Sequence, residues 1–254
     1  MTPDEYLRSL INKYQVVAGP GSPAYNAGNA VYPIIQLWAG NQLREARFSG
    51  SNAKGTAVRG ATDVDLFISL KSDTQQTLRQ LFDMLFDKMR NNGYPDARKQ
   101  NVSIHINHGG IDVDLVPAVH LGGSNEDHWL YVNKINRERT KTNVYAHVDL
   151  IRNSGRISEI ILTKIWRENH GLEIPSIYLE LAVIEALKGR ASYLASNFVV
   201  VLEYLSNNFS SARFVDPTNT SNIISDDLTD AEKRTIATQA GKSRSEQSWE
   251  RTIW

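Results

Sequence analysis

Two hydrophobic periods share the first half of the chain, and only one of them continues into the second. Leu7, Leu10, Ile11 and Tyr14 recur at helical spacing behind Thr2, Pro3 and Glu5, a capping box with proline at the first helical position. After the glycine- and proline-rich loop AGPGSPAYNAG, a second helix is predicted with Val31, Ile34, Ile35, Trp38 and Leu43 toward the core, despite Pro33 early in it. A third is predicted in SDTQQTLRQLFDMLFDKMRNNG, capped by Ser72 or Asp73 and stopped by Gly93. Its stripe is Leu78, Leu81, Phe82, Leu85 and Met89.

Between and after these helices the period falls to two. Val64, Leu66 and Ile68 alternate with Asp63 and Asp65, which predicts a strand with one apolar face. Val102, Ile104 and Ile106 alternate with Ser103, His105 and Asn107. The glycines of HGG turn the chain, and Ile111, Val113 and Leu115 then alternate with Asp112 and Asp114, completing a hairpin. From about Ile157 every strong pattern is helical: ISEIILTKIWRENHG, PSIYLELAVIEALKG, ASNFVVVLEYLSNNF and LTDAEKRTIATQAG. The reading is an α+β chain, with a mixed sheet and flanking helices over 1–150 and an all-helical domain over 151–254.

The carboxylates supply the chemistry. Asp63 and Asp65 on one strand face would raise each other's pKa and cost stability unless a positive charge sits between them, and hard oxygen donors suit Mg²⁺ or Mn²⁺. A single Asp-x-Asp is more often a solvated strand face. Here Asp112 and Asp114 repeat the pattern, and Gly50-Ser51 with Gly55 and Gly60 forms a small-residue run whose backbone N–H groups can approach phosphate oxygens. Two metals about 3.5–4 Å apart serve phosphoryl or nucleotidyl transfer.

Composition narrows the setting. Acidic and basic residues balance at 28 each, so no overall charge excess favours nucleic acid or a membrane surface. Cysteine is absent, which excludes disulfides, thiol nucleophiles and cysteine-ligated zinc and fits a reducing cytoplasm. No run of about 18 apolar residues and no signal-like segment occurs, so a cytoplasmic protein with no membrane partner is expected.

Gly50-Ser51, the Asp63-Val64-Asp65 strand and the third carboxylate Asp114 in DVDLVPA resemble the signature of the polymerase-beta-like nucleotidyltransferases. The resemblance is to the branch holding 2′-5′-oligoadenylate synthetase, the bacterial cyclic-oligonucleotide synthases (CD-NTases) and the archaeal-type CCA-adding enzymes. It implies catalytic, metal-binding roles for Asp63, Asp65 and Asp114 and triphosphate contact at Gly50 and Ser51. In ILTKIWRENHGLEIPSIYLELAVIEAL, Lys164 and Ser176 match triphosphate-contacting positions of that branch.

The activity implied is transfer of NMP from an NTP, ATP foremost, to a hydroxyl with pyrophosphate release. The product implied is a linear or cyclic oligonucleotide signal of the antiviral type. The alternative is addition to an RNA or tRNA 3′ end, or to a protein hydroxyl, with RNA as acceptor in the first case. Asp112 and His147 are weaker candidates, His147 because RERTKTNVYAH is faintly similar to a CCA-adding segment. Asp216 and Asn222 are read as domain braces. The basic run Lys134, Arg137, Arg139 and Lys141 suits phosphate, or else a solvated loop, and Trp129, Tyr131 and Tyr145 suit base stacking, or else a core.

Overall fold

The computed structural model describes residues 1–17, 19–60, 63–134 and 137–254. Its elements run α1 (Pro3–Tyr14), α2 (Pro23–Ala39), β1 (Leu43–Phe48), α3 (Gly50–Lys54), β2 (Val64–Leu70), α4 (Leu78–Arg90), β3 (Arg98–Lys99), β4 (Ile104–His108), β5 (Ile111–His120), β6 (His128–Lys134), β7 (Arg137–Thr142) and α5 (Val144–Arg152). Then follow α6 (Ile157–Asn169), α7 (Ser176–Ala186), α8 (Leu194–Asn207), β8 (Val215–Asp216), β9 (Asn219–Ile223), α9 (Asp230–Arg244) and α10 (Trp249–Ile253). Two compact units divide the chain. One holds Val17–Gly55 and Thr62–Asp149, the other Met1–Val16, Thr56–Ala61 and Leu150–Trp254.

The first unit is built on a mixed sheet of order β1-β2-β5-β4-β3, to which β6 and β7 are added beside the far half of β5. β2 and β5 are parallel, the others antiparallel. Alternation then sorts the faces. Val64, Leu66, Ile68 and Leu70 of β2, Ile104 and Ile106 of β4, and Val113 and Leu115 of β5 pack with Val31 and Ile35 of α2 and Leu81, Phe82 and Leu85 of α4. The opposite face carries Asp65, His105 and Asp114, and further along it Phe67, Ala118 and Leu130 form a small second cluster.

Several elements differ from the sequence expectation for local reasons. Gly40, at φ 53°, ends α2, so Leu43 opens β1 instead of extending the helix. Thr77, not Ser72 or Asp73, caps α4, because Thr77 and Gln80 form a reciprocal capping box. The basic run with Trp129 and Tyr131 forms the β6–β7 ribbon, whereas Tyr145 lies in α5; the side chains of Lys134 and Arg137 lie outside the described residues.

In the second unit α6, α7, α8 and α9 occupy the four predicted helical stretches. The N-terminal α1 joins their core: Leu7, Leu10 and Ile11 pack with Ile160, Ile161, Tyr178, Phe198 and Leu202. This unit also holds a two-stranded sheet, β8–β9. Asp216 holds that turn, accepting from the N–H and hydroxyl of Thr218 (2.8 and 2.9 Å) and the amide of Asn222 (3.2 Å). Among the described residues no helix is long and apolar enough to cross a membrane.

One buried polar cluster gives the first unit a pH dependence. His128 Nε2 lies 2.7 Å from Ser69 Oγ, and its Nδ1 lies 3.0 Å from the Glu126 carbonyl. Burial holds this imidazole below the ordinary histidine range; the carbonyl contact opposes that shift and the charges of His120 and Arg44 reinforce it. The unfolded chain then binds the proton more readily, so this stability is complete above the unfolded pKa of about 6.5 and is lost as pH falls below it. Thermal unfolding between pH 7.5 and 5 is expected to show a steeper fall for the native chain than for His128→Gln. Equal slopes would remove His128 from the account.

Candidate active site

The carboxylates meet because β2 and β5 pair in parallel with Asp65 directly opposite Asp114. Asp63 stands one residue before β2 and is exposed, whereas Asp65 and Asp114 are partly buried. Burial pushes the Asp114 carboxyl above its ordinary range; the His105 hydrogen bond opposes this and the Asp63 charge adds to it. The two carboxylates therefore sense each other, as like charges on one strand-end cluster must.

The Gly-Ser turn is fastened to the same strand. Ser49 N–H donates to the Asp65 carbonyl at 2.8 Å, and Asn52 Nδ2 donates to the Asp63 carbonyl at 3.2 Å. Gly50 opens α3 at φ 55°, and a Cβ there would fall 1.7 Å from Asp65 Oδ2 and 2.5 Å from its Cγ. Only glycine both adopts this backbone and leaves room for the carboxylate. Gly50→Ala is expected to cost about 1–3 kcal/mol of stability and to displace Asp65. Gly55→Ala is the control: φ there is 76° with nothing within 4 Å of the added Cβ, so calorimetry should show only the left-handed penalty of about 1 kcal/mol.

His105 is a site residue that the sequence reading passed over. From β4, directly opposite Asp114 in register, its Nδ1 lies 3.1 Å from Asp114 Oδ1 and its Nε2 lies 3.4 Å from Asp112 Oδ1. Asn107 also donates to Asp112 Oδ1 at 2.7 Å, so Asp112 is engaged by two neighbours. The available signal was the alternation of His105 and Asn107 on the polar face of a predicted strand. His147 lies in α5, half-buried, with its backbone N–H donating to the Asn143 carbonyl.

The donor set suits a hard divalent ion, three carboxylates and no sulfur. In their present rotamers the side chains do not close on one point. Among the described residues no group of three or more His, Asp or Glu is placed to hold an ion. The Asp114 carboxylate is turned toward His105. It is the backbone register of β2 and β5, not the present side-chain pose, that sets Asp65 opposite Asp114.

Lys164 and Ser176 belong to the second unit. Lys164 is 2% exposed, and its Nζ donates to Glu180 Oε1 at 2.7 Å and to Thr56 Oγ1 at 2.9 Å. The Thr56 hydroxyl also donates to Glu180 Oε1 at 3.0 Å, closing a buried triangle. Ser176 opens α7 and its Oγ accepts from Arg167 at 3.2 Å. It borders a cleft of about 530 Å³ that also presents Glu168, Glu173 and Glu232.

The fold is that of the nucleotidyltransferases, and it matches solved bacterial CD-NTases along nearly the whole chain. The Bradyrhizobium diazoefficiens CD-NTase CdnG, in complex with GTP, covers 100% of this chain and 95% of its own at 14% identity and a TM-score of 0.77. The E. coli MS115-1 CdnC with ATP covers 98% and 94% at 21% identity and 0.74. In sequence, the chain is 30% identical over 152 residues to the cyclic AMP-AMP-AMP synthase of Escherichia coli (strain MS 115-1). That match covers 55% of this chain and spans about half, 47%, of the relative. No family model matches. The resemblance read from Gly50-Ser51, Asp63, Asp65 and Asp114 is thus to the same group of proteins that the comparisons return.

Proposed function

We propose that the chain is a metal-dependent nucleotidyltransferase that joins NTPs, ATP first among them, into a linear or cyclic oligonucleotide. The observation carrying this is the in-register pair Asp65 and Asp114, with Asp63 beside it and the Gly50 turn fastened to the same strand. The likeness to a cyclic AMP-AMP-AMP synthase and to CD-NTase structures carrying ATP or GTP supports the substrate class.

Asp63, Asp65 and Asp114 would hold Mg²⁺ or Mn²⁺, which when bound supplies positive charge against the triphosphate and lowers the pKa of an attacking hydroxyl. Gly50 and Ser51 bring backbone close to phosphate, since no side chain at residue 50 stands in the way. The hydroxyl oxygen forms a bond to the α-phosphorus, the bond to pyrophosphate breaks, and the hydroxyl proton is released. Asn52 fixes the backbone of Asp63, and His105 holds the Asp114 carboxylate, which would turn from His105 toward the ion when the ion binds.

Protein incubated with Mg²⁺ or Mn²⁺ and each labelled NTP, alone and then with tRNA, is expected to release pyrophosphate and yield a small phosphatase-resistant product. Label appearing only in tRNA would move the acceptor to an RNA 3′ end. Absence of pyrophosphate with every NTP would overturn the activity.

A further inference from the structure

A cleft of about 470 Å³ opens on the sheet face opposite the carboxylates, between the start of α4 and the β5–β6–β7 edge. The faces are distinguished by alternation: Val119 shares the side of Val113 and Leu115, away from Asp114, and Tyr131 packs on Phe82 of α4 at 5.1 Å between ring centres. Trp129 pairs with Val119 and lies two residues from Tyr131, on the same side. The Arg139 guanidinium stands 4.5 Å over the Trp129 ring, and Arg79 and Glu138 also line the cleft.

We propose that this cleft is a second nucleotide site, separate from the transfer site, for a nucleoside phosphate. Its size is that of a small-molecule pocket. Trp129 and Tyr131 give a half-buried aromatic wall, and the planar guanidinium already stacked on Trp129 is the kind of surface on which a base lies. Arg79, whose Nε lies 3.8 Å from Asp83 Oδ2, and Arg139 are both exposed, and their guanidinium forks match phosphate oxygens. The ligand is thus flat and aromatic at one end and anionic at the other. Its source is either a free nucleotide or the end of a short single strand.

Capture here needs no metal and no transfer chemistry, so it is separable from the proposed activity. Equilibrium dialysis of the full chain in EDTA, with labelled AMP, ATP or the trinucleotide pApApA, is expected to show one bound ligand per chain. Binding should persist in Asp114→Asn and weaken about tenfold or more in Trp129→Leu and in Arg139→Gln, the loss expected for one stacking or guanidinium contact. Arg139 is exposed, so its variant tests the site even where Trp129→Leu unfolds. Binding of AMP and ATP assigns a free nucleotide, and binding of pApApA alone assigns a strand end. The proposal is overturned by no binding of any of the three, by native affinity in Arg139→Gln, or by loss of binding in Asp114→Asn.

Discussion

Asp65→Asn and Asp114→Asn are each expected to lower pyrophosphate release by about 10²–10³-fold or more, the scale on which removing one fixed electrostatic contact acts. The same substitutions should leave the metal-free fold as stable as the native one or slightly more so. Burial and the Asp63 charge already disfavour ionised Asp114, and an asparagine there keeps an oxygen that can accept from His105. Activity and stability therefore move in opposite directions. That opposition separates a metal site from a solvated strand face, where the substitutions would be silent in both. Asp63→Asn should behave alike, with a smaller stability change because the side chain is exposed. Asp112→Asn is the internal control: its carboxylate is 47% exposed and held by Asn107 and His105, and a modest loss is expected. The readouts are pyrophosphate release and the Mg²⁺-induced shift in Tm for all four variants. Native turnover in Asp65→Asn or Asp114→Asn would end the metal reading.

Why these carboxylates could be read from sequence, and their partner could not, follows from the range of each signal. Asp63, Asp65, Asp112 and Asp114 declare themselves through alternation with Val64, Leu66, Val113 and Leu115, a pattern that needs only a few neighbouring residues. That Asp65 would face Asp114 in a parallel pair is not local information, since the two lie 49 positions apart and parallel strands leave no turn to mark their register. His105 was hidden for the same reason. Its role comes from the strand across from it, and by itself it is one polar position on a strand.

Two of the missed strands have weak burial contrast. β1, LREARF, lies at the sheet edge with side chains that are half-buried or exposed, so its alternation is blurred and Leu43 looked like the end of a helix. RERTKT in β7 is polar throughout and carries no apolar face to read. The helices of the second unit were legible because their stripes are long. Even so, the membership of α1 in that unit arises from contacts across the sequence, with Leu7 and Leu10 meeting residues more than 140 positions away.

Lys164→Ala is expected to destabilise the second unit by about 3–5 kcal/mol, because it removes the ammonium that faces the carboxylate of Glu180, which is 0% exposed. The triangle of Lys164, Glu180 and Thr56 would lose the ammonium's contacts to Glu180 and to Thr56 at once. A drop in turnover of this variant would therefore say nothing about substrate. Replacing both charges, Lys164→Met with Glu180→Gln, removes the ion pair without leaving a naked charge and should recover most of the stability. Kinetics then separate two roles for the lysine. If its ammonium also meets the triphosphate, as the resemblance implies, the double variant should fold yet show a KM for NTP raised about tenfold or more, with pyrophosphate release at saturation little changed. If the ammonium serves only Glu180 and Thr56, KM in the double variant should match the native value. Urea unfolding of the two single variants and the double variant, paired with KM for ATP in the double variant, completes the cycle. A Lys164→Ala protein as stable as the native chain would show that Glu180 finds another partner or a proton, and the buried pair would then not be what anchors α6 to α7.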